Sequence, residues 1–137
     1  MKKYFDGENW LVVKQNNSSI RYILNGILHR EDGPTVVEYD KKNNIRIEEY
    51  YQHGHRHKVD GPAVVEYDKN GNIDTQKYYQ HGDLHRLDGP AEILNYKNGN
   101  IQVKEYYING DLHRLDGPAV IEYDKNGNIQ REIYYKN

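Results

Sequence analysis

The chain has 137 residues, the size of a single domain, and contains no cysteine, so disulfide bonds and thiolate chemistry are excluded. Lys and Arg number 19 against 21 Asp and Glu, and the formal net charge of −2 creates no long-range field for nucleic acid or an anionic membrane. No stretch approaches the roughly 20 apolar residues that span a bilayer, and the N-terminus lacks the apolar run of a signal peptide. We therefore expect a soluble, cytoplasmic protein.

Residues 1–24 do not carry the repeat that fills the rest of the chain. They hold the only Trp and the only Phe. Their pattern predicts two strands at 3–5 and 10–14, a turn at Asp6 and Gly7, and a polar loop at 15–19. Because repeat arrays need atypical ends that cover the first exposed face, we predict that this segment is an N-terminal cap.

Four repeats follow with one fixed period. The glycines of Asp-Gly-Pro recur every 28 residues, at Gly33, Gly61, Gly89 and Gly117. A constant period of this size indicates a repeat array. The predicted repeats are residues 25–52, 53–80, 81–108 and 109–136.

Each repeat contains two stretches in which apolar and polar residues alternate, such as 63–68 and 101–107. This alternation, rich in β-branched residues and Tyr, predicts half-buried strands. The Asn-Gly turns between them predict hairpins with positive φ, also at Asn43, which replaces a turn glycine. We expect Asp-Gly-Pro to introduce a bulge or kink. The predicted fold is all-β, an elongated single antiparallel sheet of stacked β-hairpins with two main strands per repeat.

The repeated motif includes four aligned histidines, which raises the question of a metal site. Equivalent residues lie two strands apart, about 9–10 Å, whereas zinc ligands must converge on one point at about 2 Å. We therefore expect each His to bond locally, with the Asp three residues later as its partner. The predicted structural motif comprises His29, Asp32, Gly33, Pro34, His57, Asp60, Gly61, Pro62, His85, Asp88, Gly89, Pro90, His113, Asp116, Gly117 and Pro118.

A second metal candidate is the set His53, His55 and His57, which would share one face of an extended strand. The alternative is a turn His, a surface His and the repeat His. Imidazoles suit zinc or nickel, but no carboxylate is clearly paired with this set. We therefore predict no metal site and no cofactor.

Catalysis has little support in the residues. The only serines are Ser18 and Ser19, which fall in the polar loop. The His-x-x-Asp pair occurs in every repeat, whereas a catalytic residue is normally singular in its environment. We predict no catalytic residue, and the chain is not expected to be an enzyme.

Pairs of tyrosines recur near the end of each repeat, so one member must lie on each face of the sheet. Tyr50, Tyr78, Tyr106 and Tyr134 share a face with charged residues, and such a row suits partner binding. Cross-strand stabilisation of the sheet explains the same pattern. The alternative function is a carbohydrate-binding or lipid-associated module that uses this row, although carbohydrate modules usually carry several Trp.

The units NGILHREDGPTVVEYD and NGDLHRLDGPAVIEYDKNG resemble MORN repeats in their Tyr-bearing strand, Asn-Gly turn and nearby His and Gly. The resemblance covers residues 25–137, with a longer period and an added Arg-x-Asp-Gly-Pro segment. It implies an elongated antiparallel sheet and a scaffold for protein interaction or assembly, with phospholipid binding proposed for some members. We expect a protein partner, and neither nucleic acid nor a membrane.

The last predicted strand, at 129–135, has no further strand after it in the chain. An unpaired strand edge recruits other strands. We expect two copies to pair through this C-terminal edge as a homodimer, with Arg131 of one copy near Glu132 of the other.

Overall fold

The computed structural model describes residues 2–5 and 8–135, so the turn predicted at Asp6 and Gly7 lies outside the described residues. No helix in this part of the chain is long and apolar enough to cross a membrane. The strands are β1 Lys2–Phe5, β2 Glu8–Gln15, β3 Ser19–Leu24, β4 Ile27–Leu28, β5 Val36–Tyr39, β6 Ile45–Glu49, β7 Tyr51–Gln52, β8 His55–Arg56, β9 Val64–Tyr67, β10 Ile73–Lys77, β11 Tyr79–Gln80, β12 Asp83–Leu84, β13 Glu92–Asn95, β14 Ile101–Glu105, β15 Tyr107–Ile108, β16 Asp111–Leu112, β17 Val120–Tyr123 and β18 Ile129–Ile133.

The long strands form one antiparallel sheet in the order β1-β2-β3-β5-β6-β9-β10-β13-β14-β17-β18, with β4 attached to β3. Strands that follow one another in the chain also lie side by side, so the sheet grows by one hairpin per repeat. This confirms the predicted fold class, an all-β single sheet of stacked hairpins. The strands found at 2–5 and 8–15 also agree with the two predicted near the N-terminus.

The short strands form separate hairpins, which the expectation of two main strands per repeat did not include. They pair as β7–β8, β11–β12 and β15–β16. The amide of Gly54 donates to the Leu28 carbonyl at 2.9 Å, and the amides of Gly82 and Gly110 donate to Arg56 and Leu84 in the same way. Each short hairpin is therefore bonded to that of the preceding repeat. We call this set, with β3–β4 at its start, the hairpin stack.

The turns have the backbone conformations that the sequence predicted. His53 and Gly54 have φ values of 51° and 83°, and the equivalent turns repeat this pair of positive values. Two successive positive φ values define the tight turn that joins twisted strands. Asn43, with φ of 63°, occupies the slot in which Gly71 has φ of 85°. Positive φ is the reason why Asn or Gly stands at these positions.

The second turn of each repeat is longer than a two-residue hairpin. In repeat two, the Asp68 carboxylate accepts the amides of Asn70 at 2.8 Å and Asn72 at 3.0 Å. These amides lower the pKa of Asp68, since they favour its charged form. In repeat three Tyr96 occupies this slot, and its hydroxyl instead donates to the Tyr123 carbonyl at 2.7 Å. The turn of repeat three is thus anchored to repeat four.

The core lies on both faces of the sheet, whereas strict alternation predicted one apolar face. Val64 and Val65 are consecutive and therefore point to opposite faces, yet they are only 4% and 8% exposed. Each such valine contributes about 1.5–3 kcal/mol on full burial. The residue before them, Ala63, has no exposed surface. Its amide donates to Lys77 and its carbonyl accepts from Tyr50, both at 2.8 Å, so it is enclosed by two neighbouring strands.

A bulge or kink was expected at Asp-Gly-Pro, and the prediction of a bulge at this position is wrong. Asp-Gly-Pro lies in a loop outside the strands. The register shifts occur instead beside the long turns, for example between Glu38 and Tyr39 in the pairing of β5 with β6. A proline in a loop needs no ladder hydrogen bond, and the long turn absorbs the extra residue.

Candidate functional site

Four equivalent loops follow the short hairpins, at residues 29–34, 57–62, 85–90 and 113–118. They contain every residue predicted as the structural repeat motif. Since equivalent residues are two strands apart, neighbouring loops are spaced by about 9–10 Å. We call these four loops the loop row.

Each loop is held in shape by a cation that lies over a tyrosine. The Arg86 guanidinium is 3.9 Å from the centre of the Tyr78 ring, and its Nη1 donates to the Pro90 carbonyl at 3.2 Å. A Cβ at Gly89 would lie 3.0 Å from the guanidinium carbon, so a larger residue there would displace the Arg86 side chain from its position over the ring. The other cation and tyrosine pairs are Arg30 with Tyr22, Lys58 with Tyr50 and Arg114 with Tyr106.

These contacts locate the tyrosine row that the sequence suggested for partner binding. Tyr50, Tyr78 and Tyr106 are half-buried, each with one ring face under a cation 3.9–4.0 Å away. Such contacts are worth about 0.5–2 kcal/mol each. Tyr134 is 57% exposed. The first three tyrosines therefore form walls between neighbouring loops.

The repeated histidines bond forward to the next repeat, which corrects the expected local bond to Asp. The Nδ1 atoms of His29, His57 and His85 each accept an amide at 3.0 Å, from His53, His81 and Asn109 respectively. Accepting at Nδ1 requires the proton on Nε2. In the last repeat, His113 Nδ1 is buried and has no hydrogen-bond partner among the described residues.

Two of these histidines also contact the ring of the next turn. The ring centres of His57 and His81 are 4.5 Å apart, and those of His29 and His53 are 4.7 Å apart. Burial, and then the nearby His81, lower the pKa of His57. No group of three His, Asp or Glu in residues 2–5 and 8–135 could hold a metal ion, and this applies to His53, His55 and His57 as well.

The outer side of the loop row carries exposed apolar side chains that the sequence reasoning missed. Val59, Leu87 and Leu115 occupy one slot of the repeat and are 84%, 83% and 76% exposed. They border the grooves between neighbouring loops; Leu87 and Leu115 enclose one such groove with Tyr106 and Ile108. The signal in the sequence was an apolar residue between His-Arg or His-Lys and Asp-Gly-Pro, in a segment without strand alternation.

Exposed carboxylates stand beside these apolar residues. The side chains of Asp32, Asp88 and Asp116 are 87%, 87% and 89% exposed. Each lies within ion-pair distance of the arginine two residues earlier, at 2.9, 3.1 and 3.4 Å. Glu31 is 83% exposed in the slot that Val59 occupies in the next repeat. We name the set Glu31, Asp32, Val59, Asp60, Leu87, Asp88, Leu115 and Asp116 the ridge.

Two further sets of groups with shifted pKa values lie on the two faces of the sheet. Glu92 and Glu105 lie opposite each other on β13 and β14, and burial raises the pKa of Glu92 while Lys77, 3.7 Å away, partly offsets this. The Tyr107 hydroxyl donates to Glu105 at 2.8 Å. On the opposite face Tyr67 donates to Glu48 at 2.6 Å, and burial raises the pKa of Tyr67 to about 12. These groups hold neighbouring strands together.

Comparison with protein-family models, with curated proteins and with solved structures returned no match. The likeness to MORN repeats is therefore a likeness of sequence pattern. The candidate site is therefore defined by its geometry alone, namely regularly spaced grooves, one exposed apolar position per loop in three of the repeats, and exposed carboxylates.

Proposed function

We propose that the chain is a repeat scaffold of MORN-like design that binds a protein partner along the ridge and performs no catalysis. The observation that carries this proposal is the exposure of Val59, Leu87 and Leu115 at one slot of successive repeats. Exposed apolar residues that occur singly are normal on protein surfaces, whereas Val59 with Leu87, and Leu87 with Leu115, line shared grooves and so contribute to a larger apolar patch, which is typical of an interaction site.

The fold itself does not need these side chains. More than three quarters of the surface of each is exposed, so they add little to the packing of their own repeat. In repeat one the same slot holds Glu31, which shows that the loop tolerates a charged residue there. Their apolar character is therefore explained by a contact outside the chain.

The expected strength of that contact follows from the area available. Fully burying a Val or Leu contributes about 1.5–3 kcal/mol, so three of them supply roughly 5–9 kcal/mol. Association costs about 4–15 kcal/mol in lost freedom, which the groove walls must help to offset. These magnitudes describe a weak, reversible complex, suited to a scaffold that collects partners.

The carbohydrate or lipid alternative draws no specific support from the site. Stacking on a sugar needs an open aromatic face, and Tyr50, Tyr78 and Tyr106 each have one face under a cation. Anionic headgroups would meet the exposed carboxylates of the ridge. Protein binding is the function that the geometry supports best.

A library of random linear peptides displayed on phage tests the proposal. We expect selected peptides to lose binding to the Leu87→Ser variant and to keep it for Ile27→Ser. Ile27 is a matched control because it is also exposed, at 46%, but lies on β4, outside the ridge. Peptides that bind both variants equally, or a library that yields no binder, would contradict the proposal.

A further inference from the structure

The carboxylates of the ridge are more exposed than the arginines with which they form ion pairs. The carboxylates of Asp32, Asp88 and Asp116 are 87–89% exposed, whereas the arginines that partner them are only 23–26% exposed. The arginines are turned inward because each guanidinium lies over a tyrosine and bonds to a proline carbonyl. What a partner meets on the outside is therefore acidic and apolar.

Asp60 shows this imbalance most clearly. Lys58, the cation of its loop, has its ammonium 4.0 Å from the centre of the Tyr50 ring. Asp60 makes no ion pair with any residue in the described part of the chain, and it is exposed beside Val59. An uncompensated carboxylate next to an exposed apolar side chain fits a cation next to an apolar side chain on the partner.

The spacing of the slots sets the shape of the partner. Equivalent slots are about 9–10 Å apart because two strands separate them. Three residues of a polyproline II segment advance about 9.3 Å, and its threefold symmetry returns every third side chain to the same side. Such a segment is already extended before it binds, so it loses little conformational entropy.

Resting on the proposed function, we propose that the ridge binds an extended basic segment of a partner protein that places one apolar residue, flanked by Lys or Arg, at every third position. Val59, Leu87 and Leu115 contact the apolar residues. Asp60, Asp88 and Asp116 pair with the cations. Because neighbouring strands twist by about 20–25°, the segment that stays in register is short, on the order of ten to twelve residues.

Three synthetic peptides test this chemistry by fluorescence anisotropy against the full chain. The probe is (Pro-Leu-Lys)4, the charge control is (Pro-Leu-Glu)4, and the spacing control is (Pro-Gly-Leu-Lys)3. We expect the probe to bind, with an affinity that falls as salt rises. Both controls should bind at least about tenfold more weakly. The carboxylates of the charge control repel those of the ridge. In the spacing control, the leucines no longer coincide with the slots of the ridge after the first one.

Two charge-neutralising variants locate the contact. Asp60→Asn should weaken binding of the probe about two- to fivefold at low salt, the range of an exposed ion pair. Asp111→Asn, which removes the same charge from an exposed position in the hairpin stack, should leave it unchanged. Thermal melting of both variants verifies that the fold is intact.

The outcomes separate this inference from the function on which it rests. Equal binding of the Lys and Glu peptides, equal binding of the two spacings, or equal effects of the two variants would overturn it. If the probe does not bind while phage-selected peptides still depend on Leu87, the partner chemistry is wrong and the scaffold function stands. If neither kind of peptide binds, both are wrong.

Discussion

Replacing His85 and His113 separately by Ala measures the bond between repeats. The two residues occupy the same slot, are both half-buried and have no ring contact within the described part of the chain, but they differ in one hydrogen bond. His85 Nδ1 accepts the Asn109 amide at 3.0 Å, whereas His113 Nδ1 has no partner among the described residues. The ring is removed in both variants, so the difference between them reports the hydrogen bond of His85 together with the removal of an unpartnered buried nitrogen in His113→Ala, and both effects make His85→Ala the less stable variant.

The expected difference is about 1 kcal/mol, the usual net contribution of one hydrogen bond. Asn109 is exposed, so water replaces the lost acceptor and no large penalty is added. For a chain of 137 residues this corresponds to a melting temperature lower by about 3–5 °C in His85→Ala than in His113→Ala.

Urea unfolding followed by circular dichroism is the assay, with both variants measured in the same buffer at neutral pH. The slope of the free energy of unfolding against urea concentration must be the same for both variants. A repeat array can unfold in parts, and unequal slopes would mean that the two variants do not unfold to the same extent. Equal free energies of unfolding, or a larger loss in His113→Ala, would refute the idea that this bond joins the repeats.

Three further predictions follow from other parts of the structure. Gly127→Val should destabilise the chain by about 1–2 kcal/mol and Gly127→Asn by much less, because φ is 89° there and an added Cβ meets nothing within 4 Å. Equal shifts in thermal melts would argue against a backbone cause. Because the pKa of His57 is lowered from 6.5, the unfolded chain binds the proton more readily than the folded chain. The free energy of unfolding should therefore be highest above pH 6.5 and decrease as the pH falls below it. His57→Ala should reduce this dependence on pH. A wild-type stability that does not change between pH 7 and pH 5 would count against it. The outer edge of β18 has no partner among the described residues, so light scattering of the 137-residue chain should show a homodimer and Ile133→Pro a monomer. A monomeric wild-type chain at high concentration would contradict this. Arg131, which was expected to pair with Glu132 of the other copy, contacts Glu122 of its own chain at 2.8 Å.

The sheet was predictable because its signals are local. The alternation around Val65 and the Asn-Gly turns specify strand and hairpin without reference to distant residues. Asn43 identified a positive φ by standing where Gly stands elsewhere, and the structure confirms it. The separate short hairpins were missed because two-residue strands such as β7 carry no periodic signal.

The site was harder to predict because its contacts cross between repeats. The amide that His29 accepts belongs to His53, in the next repeat, and no local pattern shows this pairing. The position of Arg86 over Tyr78 likewise depends on a contact between residues eight positions apart, in a segment without a regular pattern. Once the arginines lie inward, the apolar slot of Leu87 becomes the outermost feature of its loop.

The linear order of the strands in the large sheet also determines how the chain responds to tension. Its strands lie side by side along the array, so a force applied at the two ends loads the outermost strand first and peels it away. Each 28-residue repeat released in this way lengthens the chain by about 90–100 Å, while the repeats behind it keep their own pairing. The remaining sheet edge is then a template on which the released strand can re-form. We therefore expect the array under load to lengthen in repeat-sized steps and to re-form its pairing when the force is removed.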